Sequence, residues 1–247
     1  MSMRLSIDVN ADVGEGVGNE SQLMPFLSSC NIACGGHAGD EESMRYVVKL
    51  ALEHNVKIGA HPSYPDKKNF GRNIIDISTE NLYGSLKSQV LGLMTICREF
   101  DLQMHHIKPH GALYNLAAKD VHTANVILDV MISIGKSLKL YAPYNSVIAK
   151  RAKQEKIPLV YEAFADRNYN VDLSLVSREH KQALITKYDA VFEHIYHMIQ
   201  HGKVKTLNGV EVPIKASTYC IHSDTENAAE IVEFLSQKLK NKMIEIR

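Results

Sequence analysis

His105-His106-Ile107-Lys108-Pro109-His110-Gly111-Ala112-Leu113-Tyr114-Asn115 is the stretch on which the reading of the fold turns. A short apolar run ends at Lys108, and a helical pattern follows it. Pro109 restricts the backbone and Gly111 frees it, as a turn at a strand exit requires. Three histidines, a lysine and a tyrosine crowd into this one exit. Imidazole suits proton transfer near neutral pH and metal ligation, and Lys108 supplies a point charge able to hold an anion. Any one of these histidines reads equally well as a hydrogen-bonded structural residue. Five polar groups at one exit read as a site.

The same grammar recurs outward in both directions. Residues 5–9 alternate as a first strand and run into Asn10-Ala11-Asp12-Val13-Gly14-Glu15-Gly16, where Asp8, Asn10 and Asp12 share one face. A second strand, 28–33, ends in Cys34-Gly35-Gly36-His37-Ala38-Gly39-Asp40. Asp40 caps a helix marked by Met44, Val47, Val48, Ala51 and Leu52 and stopped by Asn55. A third strand, 56–60, leads into His61-Pro62, and a long helix covers about 79–100. Residues 104–107 form the fourth strand, 124–134 a helix, 138–142 the fifth strand, and a helix runs to about 154. The sixth strand, 158–162, exits into Ala163-Phe164-Ala165-Asp166-Arg167, and a helix spans about 181–200. Residues 203–213 read as a hairpin turning at Asn208-Gly209. The seventh strand, 214–221, ends in His222-Ser223-Asp224-Thr225, where Asp224 or Thr225 caps a last helix over about 226–240.

Strands alternating with helices imply a parallel sheet with helical crossovers. An open sheet gathers ligand residues at one switch point, whereas a barrel gathers them from every strand exit. Here Asp12, His37, His61, His110, Asp166 and His222 follow almost every strand, so the expected fold is an irregular, TIM-like α/β barrel of seven strands. It is expected to occupy 1–247 as one domain, with no repeat or linker.

Composition narrows the partners. The 247 residues carry 28 Lys+Arg against 28 Asp+Glu, so no basic field is offered to nucleic acid or an anionic membrane. Residues 1–9 lack the apolar run of a signal peptide, and nowhere do about 18 apolar residues follow one another as a membrane span needs. The expected partner is a small molecule or a protein, a homo-oligomer is left open, and the expected compartment is the cytoplasm. Cys30, Cys34, Cys97 and Cys220 lack paired spacing and read as reduced thiols, with Cys34 beside Gly35-Gly36-His37 a minor candidate for reactivity. Gly14-x-Gly16-x-Gly18 fits neither a dinucleotide fingerprint nor a P-loop.

In a barrel, Asp8, Asn10, Asp12, His37, His61, His106, His110 and His222 converge at one mouth. Carboxylates with imidazoles suit a divalent metal, or acid–base catalysis without one. Arg72, Lys108 and Arg167 suit a substrate carboxylate or phosphate, with surface pairing the plainer reading for Arg72. His194, His197 and His201 share a helix face far from any exit and read as packing or solvated residues.

Val9-Asn10-Ala11-Asp12-Val13-Gly14-Glu15-Gly16, Asn31-Ile32-Ala33-Cys34-Gly35-Gly36-His37-Ala38-Gly39-Asp40, Gly59-Ala60-His61-Pro62-Ser63-Tyr64-Pro65-Asp66 and Lys108-Pro109-His110-Gly111-Ala112-Leu113-Tyr114-Asn115 resemble the LamB/YcsF family. Phe70-Gly71-Arg72, Phe164-Ala165-Asp166-Arg167 and Gln200-His201-Gly202 extend the likeness over nearly the whole chain. The resemblance implies component A of an ATP-dependent 5-oxoprolinase working with subunits B and C. Its reaction would be 5-oxo-L-proline plus ATP and water giving L-glutamate, ADP and phosphate. It also implies a barrel similar to those of polysaccharide deacetylases and glycoside hydrolases. In the deacetylases an Asp and two His bind a divalent metal, and Asp12, His61 and His110 are the matching positions. ATP is expected as co-substrate of the complex, since this chain has no P-loop. The expected catalytic residues are Asp12 or His61 as base, with Lys108 and His110 stabilising an oxyanion or phosphate. Asn10, His37, Arg72, Tyr114, Asp166, Arg167 and His222 are expected to line the substrate. Three departures from the family pattern stand out: Gly36 replaces a larger residue and is expected to loosen the pocket wall, Ser223 replaces glycine, and the loop 168–178 lacks its glycine and proline. A stand-alone metal-dependent amidase or deacetylase and a non-catalytic binding subunit remain the alternative readings.

Overall fold

Short β-branched and apolar runs between helices leave each strand's backbone groups to be satisfied by its neighbours, and here they are satisfied all the way round. The computed structural model describes residues 5–135 and 137–247. The elements are β1 (Leu5–Val13), α1 (Glu20–Leu23), β2 (Ser29–Ala33), α2 (Glu41–Glu53), β3 (Lys57–His61), α3 (Thr79–Glu99), β4 (His106–Ile107), α4 (Gly111–Ala117) and α5 (Val121–Ile134). They continue as β5 (Lys139–Pro143), α6 (Val147–Gln154), β6 (Leu159–Phe164), α7 (Tyr188–His201), β7 (Lys203–Lys205), β8 (Glu211–Pro213), β9 (Thr218–His222), α8 (Ala228–Asn241) and β10 (Ile244–Ile246). β1, β2, β3, β4, β5, β6 and β9 pair in parallel in that order, and β9 returns to β1, with Asp8 opposite Thr218 and Asp12 opposite His222. Seven parallel strands therefore close a barrel, as expected. Among the described residues no helix is long and apolar enough to cross a membrane. The reading of residues 1–9 as free of a leader rests partly on residues 1–4, which lie outside the described residues.

Helix starts follow local chemistry. Asp40 and Ser43 form a reciprocal capping box on α2, and Ser78, Asp120 and Ser146 cap α3, α5 and α6, each satisfying N–H groups that a helix leaves unpaired. α2 buries Met44, Val47, Val48 and Ala51 on the barrel wall, most of the i, i+3, i+4 stripe read from sequence, while Leu52, counted with it, is exposed.

Several element boundaries and caps differ from expectation, the seventh barrel strand among them, which starts at Thr218 rather than 214. β1 extends to Val13, so Asn10 and Asp12 are strand residues rather than exit-loop residues. α7 begins at Tyr188, not near 181: Leu184 instead forms a bridge with Arg167, and Ala183 O accepts from the Arg167 guanidinium. Neither Asp224 nor Thr225 caps α8. Asp224 is drawn to Arg72, Thr225 Oγ1 donates to Asp166, and the chain enters α8 through Asn227 at φ 57°. Finally β10 went unread; it pairs with the first half of β1 outside the barrel, Leu5 opposite Ile244.

The barrel interior is polar and layered. Asp8 sits at the end opposite the mouth, where its carboxylate accepts from Ser29 and Thr218 and pairs with Lys57. His106 is fully buried in a middle layer, stacked on Tyr141 at 3.8 Å. Neither reaches the mouth, contrary to expectation. A directed series of hydrogen bonds crosses this layer. Lys139 Nζ donates to His105 Nε2 (2.9 Å), His105 Nδ1–H to His106 Nδ1 (3.1 Å), His106 Nε2–H to Asn31 Oδ1 (2.7 Å) and Asn31 Nδ2 to Asp12 Oδ1 (2.8 Å). The ring protons are assigned from the partners, since an ammonium only donates and a side-chain carbonyl only accepts.

Gly59 makes room for His106, because a Cβ there would overlap the imidazole itself. Gly59→Ala is expected to cost about 1–3 kcal/mol of overpacking strain, read as a lower denaturant midpoint with an unchanged slope. Burial, then the nearby His105 and Lys108, holds the His106 ring well below its ordinary titration range. Its unfolded counterpart protonates near 6.5, so this stability contribution is complete above about pH 6.5 and falls as the pH drops further, by up to about 1.4 kcal/mol per unit. Between pH 7.5 and 5.5, His106→Gln is expected to lose melting temperature less steeply than the wild type. A steeper loss in the variant would contradict the buried neutral ring.

Candidate active site

The strand exits open on a cavity of about 390 Å³ whose floor includes Asp12, His61, Lys108, His110 and Tyr114 and whose rim includes Arg72, Arg167, Arg178 and His222. Lys108 is its centre. β4 ends as the chain passes Lys108, whose N–H donates to Ala60 O and whose side chain turns into the barrel, 2% exposed. Nζ lies 2.9 Å from Asp12 Oδ1, 3.0 Å from Glu162 Oε1 and 3.0 Å from Cys220 Sγ. Burial works against this charge, but the neighbouring anions, Asp12 foremost, hold the lysine well above its usual range. For Asp12, burial alone would favour the neutral acid; His61 and Lys108 overcome it and keep the carboxyl well below the usual carboxylate range. Glu162 accepts from Asn10 Nδ2 at 3.0 Å and from the Tyr114 hydroxyl at 2.8 Å, which, after burial, pushes the Tyr114 phenol upward.

Beside this ion cluster stand three imidazoles. His61 Nδ1–H donates to Lys108 O at 2.7 Å, and His110 Nε2–H donates to Phe70 O at 2.9 Å. His37 stacks on His110 at 3.6 Å and contacts Glu15 Oε1 through Nε2 at 2.8 Å. Gly14 and Gly16, at φ 72° and 83°, let the chain double back so that Glu15 faces this group. Burial opposes the Glu15 charge, yet the adjoining His110 and His37 imidazoles hold its carboxyl well below the usual range. Burial also lowers His110 and brings His37 down to about 4. Glu15, His37, His61 and His110 offer ligand atoms within 4.8 Å of one another, as do Asp12, Cys220 and His222. Lys108 Nζ already contacts Asp12 and Cys220 of the second set, which leaves it no room for a cation.

The expected residues therefore sort by position. Asp12, His61, Lys108, His110, Tyr114, Arg72, Arg167 and His222 line one cavity. Asn10 lies beneath it, donating to Glu162 and Thr218. His37 is enclosed behind His110, and Asp166 is fully buried, accepting from His222 and Thr225. Arg167 directs its guanidinium at the carbonyls of Val176 and Ala183 and so ties down the loop that contains the off-pattern residues 168–178. Arg72 makes the surface pair expected of it, with Asp224 at 2.6 Å, and Arg178 shares that carboxylate at 3.2 Å. Gly36 lies elsewhere: its missing side chain is replaced by Gln89 and Ser63, which would collide with a Cβ, so the cavity wall is not loosened there. Cys34 donates to Ile32 O and burial pushes its thiol up to about 12, which removes it as a reactive group. His194 packs on Tyr169, and His197 pairs with Glu211 beside His201, consistent with a packing face.

Four participants escaped the sequence reading: Glu15, Glu162, Cys220 and Arg178. Glu15 and Glu162 had left a signal. One is an acid between glycines just after a strand, the other an acid ending an apolar strand.

The LamB/YcsF family model matches residues 7–247, and the chain belongs to that family. A relative from Bacillus cytotoxicus, named as the A component of 5-oxoprolinase, is 42% identical over 93% of each chain. The crystal structure of a lactam utilization protein from Thermus thermophilus superposes with TM-score 0.91 at 33% identity, covering 98% of this chain and 99% of that one. A family 4 carbohydrate esterase from Streptomyces lividans shares the fold at TM-score 0.52 and 8% identity, over 98% of this chain and 91% of the esterase.

Removing one partner of a buried ion pair strands the others. Lys108→Met is expected to destabilise the fold by about 3–5 kcal/mol, and adding Glu162→Gln is expected to recover part of that loss. Chemical denaturation of the single and double variants measures both; additive losses would refute the coupling.

Proposed function

We propose that the chain carries out the ring-opening step of a cytoplasmic, ATP-dependent 5-oxoprolinase, converting 5-oxo-L-proline to L-glutamate as component A beside subunits B and C. The names of the relatives at 42% and 33% identity support the substrate class, and four unpaired cysteines fit a reducing compartment. The observation that carries the chemistry is the charged pair Asp12–Lys108 on the floor of a cavity wide enough for a small lactam.

A five-membered lactam is an unreactive amide. Phosphorylation of its carbonyl oxygen at the expense of ATP makes the ring carbon electrophilic enough for a weak base to direct water onto it; the C–N bond then breaks with a proton passing to the ring nitrogen, and a second water releases phosphate from the acyl phosphate so formed. Asp12 is that base in this reading, a carboxylate kept ionised at the cavity floor. Lys108 stabilises the negative charge that develops on oxygen, as a preorganised cation in a dry site does. Arg72 and Arg178, two guanidiniums sharing Asp224 at the rim, hold the substrate carboxylate. Partner subunits handle ATP.

A second reading is favoured by one specific feature, the Glu15–His37–His61–His110 group: a metal-dependent amidase acting without ATP. Conversion of 5-oxoproline to glutamate, followed with the chain alone and with its partner subunits, with and without ATP, separates the two. Turnover that needs both ATP and the partners is the expected result. Lactam hydrolysis by the chain alone, abolished by EDTA, would replace it with the amidase. In the complete complex, Asp12→Asn is expected to lower kcat by on the order of 10²–10³. Arg72→Ala and Arg178→Ala are expected to act mainly on KM, by about tenfold. Full activity in Asp12→Asn would overturn the assigned role.

A further inference from the structure

Backbone carbonyls have settled which nitrogen of each active-site imidazole carries hydrogen. A carbonyl only accepts, so the hydrogens of neutral His61 and His110 are at Nδ1 and Nε2, pointing to Lys108 O and Phe70 O. The remaining nitrogens, His61 Nε2 and His110 Nδ1, are then lone pairs, and they face one another at 2.9 Å. Glu15 Oε1 stands 3.3 Å from His110 Nδ1 and 3.8 Å from His61 Nε2. Three acceptors thus converge with no hydrogen between them, a repulsive arrangement unless an electrophile joins them.

A proton shared between the two imidazoles would join only that pair, at 2.9 Å; the three separations together suit a metal ion. A triangle of sides 2.9, 3.3 and 3.8 Å has a circumradius of roughly 2.0 Å, the length of a zinc–nitrogen or zinc–carboxylate bond. Charge points the same way. Asp12, Glu15 and Glu162 formally bring three negative charges to this buried region, and Lys108 returns one.

We propose that Glu15, His61 and His110 form a binding site for one divalent first-row transition ion of the zinc type. Two imidazoles and one carboxylate suit such an ion, whereas magnesium and calcium take oxygen ligands. The supporting groups around the trio match those that orient metal ligands: two carbonyls fix the rings, and His37 Nε2 reaches Glu15 Oε1 at 2.8 Å. Asp12 borders the group, with Oδ1 held by Lys108 and Asn31 and Oδ2 3.4 Å from His61 Nε2, but the ligand atoms that lie within 4.8 Å of one another around His61 and His110 include Glu15 and not Asp12; the ligand set implied by the deacetylase likeness exchanges Asp12 for Glu15. His61 and His110 both line the cavity, so unfilled coordination positions open toward it, as at a catalytic rather than a structural centre.

This site does not depend on the lactam reading, because binding is measured without turnover. Protein freed of metal by chelator dialysis is titrated with Zn²⁺ by calorimetry, and with Co²⁺ by visible absorption. The expected result is one equivalent of Zn²⁺, ligand-field bands with Co²⁺ and a raised melting temperature. Glu15→Gln and His110→Ala are expected to weaken binding at least a hundredfold while keeping the wild-type circular dichroism. His201→Ala, at an exposed histidine outside the site, is expected to leave it unchanged. Absence of binding in the wild type, or binding that survives both site variants, would overturn the proposal.

Discussion

One ammonium group inside a barrel governs the rest of this molecule. Lys108 is stripped of water, and the cost of that desolvation is several kcal/mol unless partners with good geometry surround it. The partners come from across the chain: Asp12 from β1, Glu162 from β6 and Cys220 from β9. The backbone of the same residue completes the arrangement, its N–H bonded to Ala60 O in β3 and its C=O accepting from His61. A single residue therefore fixes the relative positions of four strands and the orientation of one imidazole. β4 is left only two residues long, because the chain must leave the sheet at Pro109 to bring His110 into the same mouth.

The surrounding polar groups gain meaning from their direction. Every donor in the series Lys139, His105, His106, Asn31 points toward Asp12. Together with Lys108 they saturate Asp12 Oδ1 and leave Oδ2 facing His61 at 3.4 Å. The interior layers beneath the mouth thus stabilise an ionised carboxylate whose free oxygen looks toward the cavity. A half-satisfied network of this depth would be worse than an apolar core. The protein accordingly devotes Gly59, Tyr141 and two asparagines to completing it.

Much of this was legible in the sequence, and the exceptions have physical causes. Strand–helix alternation and a polar exit after each strand were enough to select a closed barrel, since period and spacing are local properties. Depth along a strand is not local. Asp8 and Asp12 are both acids on the same face of β1, yet one lies at the far end with Lys57 and the other at the mouth with Lys108. Nothing short of the register between strands distinguishes them. His106 was drawn toward the mouth by its neighbours His105 and His110, but alternation turns it into the packed middle layer. Glu15 was missed because its role depends on two left-handed glycines reversing the chain, and Glu162 because an acid ending an apolar strand reads first as its solvated tip. The late start of α7 has the same root. Residues 181–187 carry a helical pattern, but the buried Arg167 needs acceptors and takes the carbonyls of this segment and its neighbour.

The polarity of the mouth constrains what enters it and which way round. Asp12 on its floor, with Glu15 and Glu162 buried behind it, stands against a single lysine, while its rim holds Arg72, Arg167 and Arg178 against Asp224 and the exposed Glu179. A ligand bearing one carboxylate is repelled by the floor and retained at the rim, so its uncharged portion is the part presented to Asp12 and Lys108. For a cyclic amide with a carboxylate on the carbon next to the ring nitrogen, that orientation sends the amide inward without any contact specific to the ring. Charge separation along the barrel axis then supplies positioning, which in the proposed reaction is what the site contributes to an already activated carbonyl. The loop tied down by Arg167 closes the same rim, so a lysine chosen for its charge and an arginine chosen for its five donors divide the work of floor and lid.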